Sequence, residues 1–165
     1  TFEFAHPPGL PQYNDKVPCS TAAYKGSTSL KFNYTSAENG NWWATIYRSD
    51  WSTADISGMD SLSFFLYSEN EFPVSALPLI GFRAVNKNGT GDVNSQRFSL
   101  ENYNEGISTN EWTKVKFPLS VLFNDSESND LDFAQVKGII YNQSKSNNIS
   151  RLILVDEISA FKSIA

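Results

Sequence analysis

Asn41-Trp42-Trp43-Ala44-Thr45-Ile46-Tyr47-Arg48-Ser49-Asp50-Trp51 holds three of the chain's four tryptophans in one short segment, rich in the β-branched and aromatic residues that favour strands. On a strand, successive side chains leave opposite faces, so the adjacent indoles of Trp42 and Trp43 cannot share an environment. One enters a core, and the other faces solvent or a ligand. The expectation taken here is that Trp43 and Tyr47 are core residues and that Trp42 looks outward.

The same two-residue period extends along the chain. It predicts strands over 29–34, 42–48, 61–67, 79–85, 96–100, 113–117, 138–141 and 152–161, separated by turn-forming runs such as Asn86-Lys87-Asn88-Gly89-Thr90-Gly91. Helical periodicity is confined to one turn at 118–123, where Pro118 sits early enough that its missing N–H costs nothing. Residues 5–24 carry four of the seven prolines and read as an irregular loop. Many short strands with polar turns indicate an all-β sandwich or barrel, here one domain over residues 1–165.

A net charge of −5 over 165 residues argues against a phosphate-binding surface, so nucleic acid is not an expected partner. No apolar run reaches the length of a membrane span. One cysteine, Cys19, and one histidine, His6, leave little material for a thiolate or imidazole metal site. Serine-hydrolase chemistry has neither a Gly-x-Ser-x-Gly elbow nor a well-placed histidine. Eighteen carboxylates could in principle supply the acid pair of a glycosidase, but most Asp and Glu are solvated surface groups.

Two constellations remain. Glu3 near the beginning and Asp156, which interrupts the apolar run Ile153-Leu154-Val155-Asp156-Glu157-Ile158, offer hard oxygen ligands suited to calcium. Asp156 as a simple hydrogen-bond acceptor is the other reading. The aromatics point toward sugar. A pyranose has an apolar C–H face and a rim of hydroxyls, and its binder needs a flat ring beside polar groups. Trp42 with Asp92, Arg97, Arg83 and Gln143 would supply both, while Trp112 is expected in the core.

Taken in order, Phe2-Glu3, the run 26–32, Gly40-Asn41-Trp42-Trp43-Ala44-Thr45-Ile46-Tyr47, Asp50-Trp51-Ser52, the run 111–119 and Val155-Asp156-Glu157-Ile158 resemble a family 11 carbohydrate-binding module, with families 4 and 30 as near relatives. The resemblance spans nearly the whole chain. It implies a galactose-binding-domain-like jelly roll, a β-sandwich of two antiparallel sheets with a ligand cleft, structural calcium, and recognition of mixed-linkage or related β-glucans by a non-catalytic part of a larger secreted glycoside hydrolase. By the same resemblance Trp42, Asp92 and Arg97 fall on cleft positions, Tyr13 stands for a further cleft tyrosine, and Gln143 replaces another. Trp51 belongs to a shared turn, and a carbonyl near Lys25 joins Glu3 and Asp156 around the metal.

The departures are as specific as the matches. Asn124 to Asp130 lacks the arginine and aromatic that the family places there, and Lys137 stands where the family has an acid. The fold therefore carries over more fully than the ligand. The expected function is a non-catalytic module, a secreted or cell-surface monomer, that holds an attached or associated hydrolase on a β-linked polysaccharide. A glycan-active enzyme on the same fold and a structural module packed on a neighbouring domain are the alternatives.

Overall fold

The computed structural model describes the backbone of residues 2–5 and, in full, residues 19–48 and 50–163. The sequence position Tyr13 lies outside them. The strands are β1 (Phe2–Ala5), β2 (Cys19–Ser20), β3 (Ser29–Thr35), β4 (Trp43–Tyr47), β5 (Ser61–Tyr67), β6 (Leu79–Asn86), β7 (Asp92–Asn94), β8 (Thr113–Pro118), β9 (Leu131–Asn142) and β10 (Ser150–Phe161), with one short α-helix among the described residues, α1 (Leu119–Phe123), and three single 3-10 turns.

They form a β-sandwich jelly roll of two antiparallel sheets. The front sheet runs β1-β4-β9-β6-β7 and the back sheet β2-β3-β10-β5-β8. Alternate residues of the longer strands enter the space between the sheets. From the back sheet come Phe32, Leu62, Phe64, Leu66, Val115, Phe117, Ile153 and Val155; from the front sheet come Ala44, Ile80, Phe82, Ala84, Val136 and Tyr141. Burying each large side chain contributes about 1.5–3 kcal/mol against the chain entropy that ordering costs. Tyr141 is 1% exposed, its ring meets Phe32 and Phe64 at 5.3 Å, and burial pushes its phenol far above the ordinary value, so it stays neutral. In α1, Pro118 occupies the N-cap, and Leu119 and Leu122, three apart, are both buried.

Two expectations change. The expected strand over 96–100 is replaced by the short β7, which pairs with β6 across the Asn86–Gly91 turn. There Gly89 and Gly91 take φ of 78° and 70°, a region open to glycine at no steric cost. Beyond β7 the ladder breaks off because the Ser95 hydroxyl, rather than a backbone carbonyl, accepts the Phe82 amide at 2.8 Å. Only an isolated bridge between Ile80 and Phe98 continues the pairing. Second, β9 is far longer than 138–141, since register shifts beside Arg83 and Ala84 interrupt the alternation that would have revealed its first half.

Candidate functional site

Because β4, β9 and β6 lie side by side in register, their outward residues form rows across the front sheet. The first row is Trp43, Asn142 and Leu79; the second is Thr45, Ile140 and Gly81; the third is Tyr47, Gly138 and Arg83. Asp92 and Asn94 extend the face along β7. Ile140 is 1% exposed yet stands apart from the core cluster, as expected for a residue covered from the outer side.

Two glycines allow side chains to lie flat on this face. A Cβ on Gly138 would stand 3.0 Å from the Ile46 carbonyl and 3.4 Å from the Tyr47 ring, and one on Gly81 would stand 2.9 Å from Cδ of Arg97. Arg97 thus crosses the sheet over Gly81. Its Nη1 donates to the Ser95 carbonyl at 2.6 Å, and its Nε donates to Oδ1 of Asn142 at 3.1 Å. The amide of Asn142 in turn donates to Oδ1 of Asn41 at 2.7 Å and to the Trp42 carbonyl at 2.9 Å. Burial lowers the pKa of Arg97 from its ordinary value. At the β7 edge Asp92 accepts Lys137 at 2.8 Å and faces Nε of Arg83 at 3.6 Å.

The indoles fall on opposite sides of β4, with the assignment reversed from that expected. Trp42 is 3% exposed, packs on Tyr34 with ring centroids 4.2 Å apart, and points its Nε1 toward the Ser36 hydroxyl at 3.5 Å. It is a core residue and no platform for a ligand. Trp43, expected in the core, is half-buried at the head of the outer rows. The parity of Thr45 was the available signal. Trp43 and Tyr47 share a face with this polar residue, whereas Trp42 shares one with Ala44 and Ile46.

Trp51 completes the aromatic set. Its indole is 59% exposed and lies 5.2 Å from the Tyr47 ring, and its φ is 60°, a strained backbone for a bulky residue. The turn is fixed locally: the Trp51 amide donates to the Arg48 carbonyl at 3.0 Å and the Ser52 amide to Oδ1 of Asp50 at 2.9 Å. Hydrogen bonds from Ser52 hold the Asp50 carboxyl below the usual carboxylate range.

Of the residues expected at the site, Asp92, Arg97 and Arg83 come together on the outer face of the front sheet. Gln143 does not. Its side chain is 8% exposed and donates to the Ala37 carbonyl at 2.9 Å and the Ser146 hydroxyl at 3.1 Å, which makes it a brace between loops. Asn142, one position earlier, is the residue on the face. Trp112 is also outside the core, in an aromatic group on the outer face of the back sheet. There Tyr24 stacks on Phe65 at 3.7 Å and stands 6.1 Å from Trp112, which in turn lies 5.5 Å from Tyr67. A cavity of about 400 Å³ opens between the sheets near the end of β4, lined by Ile46, Met59, Leu62, Ile139 and Ile158. Arg48, Asp55, Lys137 and Ser159 add polar groups to this lining.

The expected metal ligands are placed as follows. Oδ2 of Asp156 accepts the amides of Tyr24 at 2.8 Å and Lys25 at 3.0 Å, and Oδ1 accepts the Glu157 amide at 2.8 Å. The carboxylate therefore latches the 24–25 loop onto a bulge of β10, where Glu157 has φ of 50°. Lys25 meets it through its amide, and the side chain of Glu3, whose backbone pairs with Thr45, lies outside the described residues. Among the described residues no three His, Cys, Asp or Glu side chains gather to hold a metal. The donor chemistry at Asp156 suits a hard cation, and the carboxylate is already satisfied by three amides.

Several solved structures share this architecture. A family 30 carbohydrate-binding module is 22% identical, with a TM-score of 0.74 over 98% of this chain and 92% of that one. The family 30 module of the cellulosomal cellulase Cel9D-Cel44B of Clostridium thermocellum is 18% identical, with a TM-score of 0.70 over 92% and 84%. A β-1,2-glucanase from Parabacteroides distasonis aligns with a TM-score of 0.73 at 16% identity, over 99% of this chain but only 23% of the glucanase. The family 11 module of C. thermocellum solved with a β-1,3-1,4-mixed-linked tetrasaccharide aligns less closely, with a TM-score of 0.59 at 18% identity over 99% and 89%. At these identities the likeness is one of fold. No curated protein matches the chain. The family model for carbohydrate binding domain 30 matches residues 2–162, and the chain, with its jelly roll and its outward row of rings, belongs to that family of carbohydrate-binding modules.

Proposed function

We propose that the outer face of the front sheet binds a β-linked polysaccharide and that the module, spanning the whole chain, holds an attached or associated glycoside hydrolase near that substrate outside the cell. The observation that carries this reading is the pair of indoles outside the core, half-buried Trp43 and exposed Trp51 packed on the buried Tyr47 ring, beside the polar network of Arg97, Asn142 and Asn41. Trp43 and Tyr47 are four residues apart on one strand, about 13 Å, which suits a ligand several sugars long. Exchange of water hydrogen bonds for sugar ones gains little per bond, so affinity is modest and stacking dominates it.

Affinity electrophoresis against a panel of neutral and acidic β-linked polysaccharides tests the reading. Retardation by at least one is expected, and mobility unchanged by all of them would overturn it. A second reading, packing against a neighbouring domain, is supported by the aromatic group of Tyr24, Phe65, Tyr67 and Trp112 on the opposite face. The two readings map to different sheets: substitution of Trp112 would loosen a domain contact while leaving retardation intact.

Structural calcium belongs to the same proposal, with Asp156, a carbonyl near Lys25 and Glu3 as the oxygen donors. An ion bound only by the folded chain stabilises it by mass action, so a chelator is expected to lower the melting temperature by several degrees and calcium to restore it. An unchanged melting temperature would leave Asp156 as a loop latch alone.

A further inference from the structure

Among the residues whose side chains the structure describes, the outer face carries three cations, Arg83, Arg97 and Lys137, and one carboxylate, Asp92, in a chain whose net charge is −5. That carboxylate is taken. It sits between Lys137 and Arg83 at the β7 edge. Arg97 stands apart. Both of its hydrogen bonds go to neutral oxygens, of Ser95 and Asn142, and no carboxylate of the described residues lies within salt-bridge distance. Its Nη2 has no partner among the described residues.

A half-buried guanidinium with no counter-ion among the described residues is costly, because partial removal from water penalises the charge. Burial accordingly depresses the pKa of Arg97. Yet the chain goes to some length to hold it there. Gly81 clears the space beneath it, Asn142 fixes its Nε, and the Ser95 carbonyl fixes its Nη1. With those bonds made, a planar donor fork keeps a free edge on the face where Asn142 pairs with Trp43, and such a fork matches a carboxylate better than a single hydroxyl.

We propose, building on the glycan reading above, that the polysaccharide selected by this face carries carboxylates, as a uronic acid or a carboxyl substituent does, and that Arg97 is the residue that binds them. The acidic protein as a whole repels such a polymer, so attraction must come from the local site. The contact forms as a charge-assisted pair that replaces water on both partners, with the sugar ring beside it resting on an indole.

Isothermal titration calorimetry on the intact protein tests this with two matched pairs of polymers. One pair is mixed-linkage β-glucan and the same glucan with part of its primary hydroxyls oxidised to carboxylates; the other is hydroxyethyl-cellulose and carboxymethyl-cellulose. The carboxylated member of at least one pair is expected to bind about tenfold tighter, a margin that shrinks as salt rises. Arg97→Gln is expected to erase the margin, bringing the two members of each pair to the same affinity whatever it costs the binding of both. Gly81→Ala, which displaces the guanidinium without removing it, is expected to reduce the margin with the fold intact by circular dichroism. Equal affinity within both pairs would overturn the proposal and leave the glycan reading standing. A margin that survives in Arg97→Gln would overturn the assignment to this residue. If none of the four polymers binds, this proposal falls, and the glycan reading falls with it only if the wider panel fails as well.

Discussion

Trp43→Ala is expected to cost the isolated module most of its affinity for a β-linked polysaccharide, on the order of 2 kcal/mol or roughly thirtyfold, with its melting temperature nearly unmoved. The residue heads the outer rows of the front sheet, half-buried beside Asn142 and opposite in direction to the core. An indole so placed gives a sugar a large, rigid apolar surface at low entropic cost, which is why truncating a central tryptophan tends to dominate a binding site. Its removal leaves no cavity between the sheets. Titration of the variant with whichever polysaccharide retards the parent protein measures the loss. Undiminished affinity would move the site off this face.

The neighbouring substitution should behave in the opposite way. Trp42→Ala is expected to destabilise the fold by about 3–5 kcal/mol, a fall in melting temperature of roughly 10 °C or more, because it empties the space filled by a ring 3% exposed and packed on Tyr34. Protein that remains folded should still bind, since the Trp42 carbonyl that steadies Asn142 belongs to the backbone and survives the change. Thermal denaturation and titration of the same sample separate the two effects. Loss of binding in Trp42→Ala with stability unchanged would contradict the placement of this ring.

How far this was legible in the sequence depends on which physical rule governed each part. The two-residue period located β3, β5, β6, β8 and β10, because each has one face in a continuous core. It missed β1 and β2, which are short edge strands, and most of β9, whose pairing with β6 shifts register. The same period showed that Trp42 and Trp43 part company; which one turns inward was signalled only by the parity of Thr45, and the partner surfaces bear that parity out, with Tyr34 against Trp42 and Asn142 beside Trp43. Asp92, Arg83 and Arg97 were picked out for carrying polar groups to a sugar, and all lie on one face. Gln143 was placed one residue out of step, its neighbour Asn142 occupying the face in its stead. Trp51 was recognised as a turn residue, but its exposure depends on a left-handed backbone that no composition reveals.

The alternation along β4 and the in-register stretches of β9 from Gly138 to Asn142 and of β6 from Leu79 to Arg83 gives the front sheet two interleaved texts. One set of positions, including Ala44, Ile80, Phe82 and Tyr141, specifies the packing; the other, including Trp43, Tyr47, Gly81, Gly138 and Asn142, specifies what lies on the sheet. Substitutions in the second set can accumulate while the first stays fixed, so descendants of one stable sandwich can diverge in the ligand they hold with little loss of foldability. A single-residue insertion within β4 would do the reverse, exchanging the two texts at a stroke and damaging both.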